Sequence, residues 1–443
     1  MDKIEERIVK IIDENKDKII SFGRDIYTHA ETGYKEFRTA EKFSNWLHEL
    51  DLSTETGLAV TGVKACLNKE KKADFSLALL GEMDALNIPE HYLANPETGA
   101  AHCCGHHAQL TAVAGAALAL CDDEIKKELD GQVVFFGVPA EEYGDFEYKH
   151  KLQEDNKIKY QGGKCELIRI GAFDDIDLCL AHHIGDHVIE LGNGSTNGFF
   201  SKMIRYSGKA SHAAVAPDKG TNALYAAAQG INALNANRET FRDDDHVRIH
   251  PIISKGGSAV NVIPDDVVVE TMVRAANLEA MEDAARKTDR SFISGAMALG
   301  AKIEIDTSMG YLPDTSMPAY EELMEIAKEL VDEKLISVCK ESNHDNGSND
   351  LGDLQQLIPV IQFRTGGMKG GMHQADYDIV DEETAYILSA KLFALYTYRM
   401  LKNDAEFGKR IKREYTHSFK TKEEYCEYIE KFTNHFTRDY SQE

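Results

Sequence analysis

From Met1 to Leu50 apolar residues recur at helical spacing, as in Ile8-Val9-Ile11-Ile12 and Ile19-Ile20. The turn Glu31-Thr32-Gly33-Tyr34 interrupts the pattern and Thr39 to Leu50 resumes it. Four short apolar runs follow, and each ends in polar residues. Phe75 to Leu80 leads into Glu82-Met83-Asp84, and Val133 to Val138 into Pro139-Ala140-Glu141-Glu142. Ile176 to Ala181 leads into His182-His183, and Ile358 to Phe363 into the glycine-rich stretch that ends at His373. Apolar runs separated by helical segments predict parallel strands buried on both faces. Such sheets bind ligands at the carboxyl ends of their strands, so four strands are expected to deliver metal-competent residues to one site.

Between Asn197 and Ser308 the pattern changes. Phe199 to Tyr206, Val247 to Ser254, Asp266 to Arg274 and Lys302 to Asp306 read as strands, with helices over Thr221 to Asn237 and Leu278 to Leu299. The order β-α-β-β-α-β is the ferredoxin-like arrangement. The chain is therefore expected to be α/β, with a mixed, mostly parallel sheet flanked by helices. Residues 1–195 and 310–443 would form the first domain, with an α+β domain inserted at 196–309. A charged, aromatic stretch from about residue 404 is expected to be a helical extension without chemistry.

With 443 residues the chain is too long for one compact core, which agrees with two domains. A formal net charge of −25 argues against nucleic acid and anionic membranes as partners. The start, Met1 to Glu6, lacks the apolar core of a signal peptide, and no run approaches the ~18 apolar residues of a membrane span. Eight cysteines without regular spacing do not form a disulfide framework, and a reducing cytoplasm is expected.

Candidate chemistry concentrates in His102-Cys103-Cys104-Gly105-His106-His107, where five of six residues can bind a transition metal. Cys104 and His106, two apart, cannot share a helix face, but they can converge from a loop that Gly105 lets bend. Thiolate with imidazole favours zinc or a similar metal. A closed structural zinc knot would need a second close pair such as Cys-x-x-Cys, and none exists. In Glu141-Glu142 one carboxylate can bind metal while the other takes a proton from water. One of His182 and His183 is expected to face the site, because side chains alternate along a strand. His373 follows glycines that allow close backbone approach.

These stretches, together with Gly162-Gly163-Lys164, Gly208 to Ala214, Gly220 to Leu224 and Gly256-Gly257 through Asn261-Val262-Ile263-Pro264-Asp265, resemble the aminoacylase/carboxypeptidase superfamily of metallopeptidases. Within it the likeness is to the amidohydrolase subfamily, which includes hydrolases of aminobenzoyl-glutamate and of indole-acetyl-amino acids and a β-alanyl dipeptidase. The resemblance implies a zinc-peptidase-like domain whose inserted domain is a lid and pairs two subunits. It implies two divalent ions, zinc or manganese, bridged by Cys104 and held by His106, Glu142, His183 and His373. Glu141 would be the general base. His212 would stabilise the oxyanion in the partner subunit's site, Asn261 and Arg274 would hold the substrate carboxylate, and Asp84 would orient the ligands. Relatives usually carry Asp or Asn where this chain has His107, which is expected to support the metal shell. Cys103 also replaces a small residue.

The activity expected is metal-dependent hydrolysis of the amide bond of a small N-acyl amino acid or dipeptide, such as an aminobenzoyl-glutamate-like conjugate, by a homodimer. A dipeptidase recognising a free amine would need an acidic pocket, which the sequence does not locate. A catalytically inactive binding protein on the same fold is disfavoured by the joint presence of Cys104, His106, Glu141, Glu142, His183 and His373.

Overall fold

The computed structural model describes residues 1–69 and 74–441. The chain divides into two compact units. One comprises 1–194, 315–343 and 353–422, and the other 195–314, 344–352 and 423–443.

The first unit is built on an eight-stranded sheet. Its four central strands, Gln132–Val138, Ser76–Glu82, Leu178–Ile184 and Val360–Thr365, run parallel in that spatial order. Antiparallel strands extend it beyond Gln132–Val138 and beside Val360–Thr365. Ser76–Glu82 is buried along its whole length, as a strand covered on both faces must be. The helix His106–Leu120 is buried all round except at Leu118. Its run of alanines and Gly115 permits close packing: a Cβ on Gly115 would lie 2.7 Å from Ala390 Cβ. The strands expected from the sequence are present, with ends displaced by up to three residues.

The second unit contains an antiparallel sheet in which Gly198–Ser207 lies between Asp266–Ala275 and Lys302–Met309. Arg248–Ile249 and Ile252–Lys255 pair with the other side of Asp266–Ala275. With the helices Ala223–Asn237 and Leu278–Leu299, this is the ferredoxin-like order read from the sequence. On Asp266–Ala275 alternate residues Val267, Val269, Thr271, Val273 and Ala275 are buried, which marks one covered face.

The C-terminal extension differs from expectation. Its helices Glu406–Glu414 and Lys422–Phe432 are followed by a strand, Asn434–Asp439, which pairs antiparallel with Lys302–Thr307 and adds a fifth main strand to the second unit's sheet. Tyr425, Ile429 and Tyr440 are buried, and the ring centroids of Phe432 and Phe200 lie 5.3 Å apart. The sequence of this strand, Asn-His-Phe-Thr-Arg-Asp, has no strongly apolar face, so its pairing partner rather than its own pattern makes it a strand.

Removing residues 422–443 is expected to expose the edge of Lys302–Met309, lower the melting temperature by several degrees and promote concentration-dependent association, because open strand edges template pairing. Phe436→Pro, which disrupts the pairing while leaving the preceding helix intact, should act in the same direction. Calorimetry and sedimentation indistinguishable from the intact chain for both variants would show that the strand contributes nothing.

Candidate metal centre

The helix His106–Leu120 begins at Gly105, whose φ of 97° places it in the left-handed region. A Cβ there would lie 3.0 Å from Ile184 and 3.1 Å from the Tyr377 hydroxyl, so glycine fits both the conformation and the space. The turn presents Cys104 and His106 beside the carboxyl ends of neighbouring strands. Ala140, just after Gln132–Val138, also has positive φ, 49°, at the turn that carries Glu141 and Glu142. The Glu36 carboxylate accepts the Ala140 amide at 2.8 Å and the Thr61 hydroxyl at 2.6 Å and so fixes this turn.

The side chains converge on Cys104. Its Sγ lies 3.4 Å from His183 Nε2 and 3.3 Å from His373 Nε2. His373 Nε2 is 3.4 Å from Glu142 Oε1, and His106 Nε2 is 3.8 Å from Glu141 Oε2. Two groups able to hold a cation share the thiol: Cys104 with His106 and His183, and Cys104 with Glu142 and His373. A third joins His106, Glu141 and Glu142. These donors are sulfur, imidazole nitrogen and carboxylate oxygen, with no lysine or arginine among them. Their chemistry fits a pair of borderline divalent ions.

Asp84 buttresses both sides. Its Oδ1 lies 3.2 Å from His106 Nδ1, and its Oδ2 accepts the Glu142 amide at 2.9 Å. His106 Nδ1 also lies 3.0 Å from the Asp84 carbonyl oxygen, so Nε2 is the nitrogen turned to the site. His183 Nδ1 donates to the Ile184 carbonyl at 2.8 Å, which likewise leaves Nε2 for a metal. The Cys103 carbonyl accepts the His373 amide at 2.8 Å and positions a residue whose own φ is 61°.

Electrostatics follows from burial and neighbours. Burial opposes ionisation of Asp84, but its hydrogen bond to His106, that ring's charge and the Glu142 amide hold it at about 2. Burial, with the Asp84 charge adding to it, pushes Glu36 up to about 8. Burial lifts Glu142 to about 7 against the pull of His106. Burial lowers His183 to about 4, aided by His106, and keeps it a neutral ligand. Burial also drives the Cys104 thiol far above its ordinary value, so a cation is what would make it a thiolate.

Some residues take other places. His182 points away from the site, with Nε2 2.7 Å from Thr365 Oγ1 and its ring against Phe363 and Phe393. His107, expected to support the metals, does not join the cluster. Its ring stacks on Tyr27 at 4.4 Å and meets Tyr377 and Tyr386 edge-on, because successive helix residues diverge by about 100°. Cys103 lies in the same buried pocket, packed with Tyr27 and Tyr377.

Sequence reasoning missed Glu82, Gln109 and Lys164. Glu82 Oε2 lies 3.1 Å from His106 Nε2 and accepts Gln109 Nε2 at 2.7 Å, while Oε1 accepts the buried Lys164 ammonium at 2.5 Å. Burial opposes its charge, but Lys164 and His106 hold Glu82 at about 2. A charged residue closing an otherwise apolar buried strand was the available signal.

In the second unit, His212 is exposed and bridges to Val262, and the Ala213 amide donates to the Asn261 carbonyl at 3.0 Å. His212 Nδ1 accepts the amides of Ala214 and Val215 at 3.3 and 3.1 Å, which places its proton on Nε2. Arg274 is elsewhere. Its guanidinium donates to Ser348 Oγ at 2.6 Å and stacks over Phe199 at 5.0 Å. Arg274 lies toward the far end of the strand that starts at Asp266, five residues after Asn261.

Residues 195–291 match the model of the peptidase dimerisation domain. Beyond that segment the chain is similar to curated dipeptidases and amidohydrolases and shares its fold with a solved peptidase of the M20 family. It is 25% identical to the Xaa-Arg dipeptidase of Mus musculus over 90% of this chain and 88% of that one. It is 28% identical to a p-aminobenzoyl-glutamate hydrolase chain of Escherichia coli over 72% of this chain and 62% of that one. A putative aminohydrolase from Staphylococcus aureus has the same fold, with a TM-score of 0.74 at 20% identity over 90% of this chain and all of that one. These and other curated relatives are named as dipeptidases and amidohydrolases. No helix among the described residues is long and apolar enough to cross a membrane.

Glu36 supplies a test of the buried charge arrangement. Its folded-state pKa lies above its unfolded value, so its stabilising contribution is complete below about pH 4.5 and is lost as pH rises through about 8. Glu36→Gln removes this dependence. Relative to the parent chain it should gain up to about 1.4 kcal/mol per pH unit across that window. Denaturant titrations with identical pH slopes for both proteins would contradict it.

Proposed function

We propose that the protein hydrolyses the amide bond of a small N-acyl amino acid or dipeptide at a centre of two divalent ions, zinc or manganese. The observation that carries this reading is the sharing of Cys104 by two donor groups, with Glu141 3.8 Å from one of their histidines. When bound, the ions supply Lewis-acid polarisation of the scissile carbonyl and make water more acidic. Cys104 would bridge them, with His106 and His183 on one and Glu142 and His373 on the other. Glu141 takes the proton of the attacking water and delivers it to the leaving amine. Asp84 keeps His106 and Glu142 in register.

His212, with Nδ1 engaged by two amides and Nε2 turned outward as donor, donates a hydrogen bond to the developing oxyanion. The dimerisation-domain match supports a homodimer in which His212 serves the partner's site and Asn261 and Arg274 hold the substrate carboxylate. The eight free cysteines support a reducing, cytoplasmic setting.

Glu141→Gln should lower kcat by about 10²–10⁴ on any accepted N-acyl amino acid while bound metal, measured by mass spectrometry, stays at the parent level. Parent-like turnover by this variant would remove Glu141 as the base.

A second experiment separates action within a chain from action across chains. Glu141→Ala and His212→Ala dimers should each be nearly inactive, yet subunit exchange between them should restore about a quarter of parental activity, because half of the dimers then carry one complete site. Failure of exchanged, demonstrably mixed dimers to recover activity would place His212 in its own chain's site.

A further inference from the structure

His373 is held differently from the other histidines of the cluster. His106 and His183 are each fixed through Nδ1, by Asp84 and by the Ile184 carbonyl. Among the described residues no hydrogen bond holds His373 Nδ1, and its side chain is 54% exposed against 1% for His106. A ligating imidazole is ordinarily oriented through its second nitrogen. Without that bond, the place of the His373 ring is set by its backbone.

That backbone is the loop of a hairpin. Met368–Lys369 pairs antiparallel with Asp378–Ile379 and, among the described residues, with no other strand. A lone two-stranded hairpin is marginal in water, so its position depends on ties to its surroundings. The ties come from the arm 88–99. Leu86–Asn87 and Ala100–Ala101 pair at the base of this arm, and the chain runs from there into Cys103 and Cys104. His91 is buried, and its Nδ1 accepts the Leu93 amide at 3.2 Å, which leaves Nε2–H to donate to the Tyr377 carbonyl at 2.8 Å. Beside it the exposed Tyr92 hydroxyl donates to Asp378 Oδ1 at 2.7 Å. Leu93 and Ala94 of the arm pack with Met368 and Ile379 of the hairpin around Tyr377 and Cys103. The arm thus grips the hairpin four and five residues after His373, and the Cys103 carbonyl takes the His373 amide itself.

We propose that His91 and Tyr92 form a clasp that positions His373, and with it the metal position shared by Cys104, Glu142 and His373. This rests on the two-ion reading above. The position of Cys104, His106 and His183 draws its histidines from the start of a buried helix and from the strand Leu178–Ile184, outside the clasp. Release of the clasp loosens one ion and spares the other.

Zinc titration of the chelator-stripped chain by calorimetry tests this without turnover. The parent should take two zinc ions per chain, and His373→Ala should weaken one of them, which assigns that ion. His91→Leu should weaken the same ion about tenfold or more and leave the other within about twofold. His91→Gln, whose amide can donate to the Tyr377 carbonyl, should restore it. Tyr92→Phe, a change at the surface, should weaken it about threefold and carries the test if His91→Leu does not fold. In the metal-free chain, hydrogen exchange over 368–379 should rise in His91→Leu while that of Leu178–Ile184 stays at the parent level. Parent-like affinity for the His373-dependent zinc in these variants, or equal weakening of both ions, would overturn the clasp. A parent chain that takes a single zinc ion overturns the two-ion reading instead. Exchange over 368–379 then decides the clasp: a rise sustains it as the anchor of His373, and no change overturns it. Absence of amide turnover beside the expected zinc results counts against the hydrolase reading alone.

Discussion

Asp84 is a single carboxylate on which two loops depend. One oxygen lies against the Nδ1 side of His106 and the other accepts the backbone amide of Glu142. His106 opens a helix and Glu142 follows a strand end; each shares a cation-holding group with Cys104, and a third group joins the two with Glu141. Without the carboxylate between them, the His106 ring would keep only the Asp84 carbonyl on its Nδ1 side, and the 140–145 turn would lose one of its anchors beside Glu36. Second contacts of this kind fix the tautomer and direction of a ligating imidazole. The arrangement requires Asp84 to stay charged in a fully buried position, which it does through those bonds.

That charge shapes its surroundings. Glu36 lies close enough to feel it and is driven to the neutral form, in which it still holds the Ala140 turn. Glu82 takes the opposite course, because Lys164 is buried with it and compensates its charge. The metal cluster is thus surrounded by carboxylates of two kinds, one paired and ionised, the other unpaired and protonated. Environment rather than residue type sets the difference. The donors themselves lack a cationic side chain, so the divalent ions would complete the balance and convert Cys104 to its ligating form.

Much of this was legible in the sequence. The four parallel strands announce themselves as apolar runs, and three of them lead toward Glu142, His183 and His373, whereas the full ligand set, with Cys104 and His106, came from the family resemblance. The ferredoxin-like order is equally plain, because its helices and strands keep their own periods. Less legible were features set by contacts distant in sequence. Glu82 and Lys164 are 82 positions apart, and neither residue alone reveals the pair. The terminal strand is formed by the edge it joins. The choice between His182 and His183 depended on which face of Leu178–Ile184 meets Cys104, and alternation alone cannot supply that.

His107 shows how a departure from the family pattern can be coherent. Its ring occupies a pocket walled by Tyr27, Tyr377 and Tyr386, with Cys103 nearby. A carboxylate in that pocket would be buried among aromatic faces without a cation. A neutral imidazole can stack there, and burial holds His107 well below its ordinary pKa. The pocket is not isolated from the chemistry. The Tyr377 hydroxyl lies against Gly105, the residue that bends the chain between Cys104 and His106. On this side the ligand turn is backed by aromatic packing, which runs from His107 through Tyr377 to Gly105. The ligands keep their places because what they require of this side is a fixed wall, and stacked rings provide one.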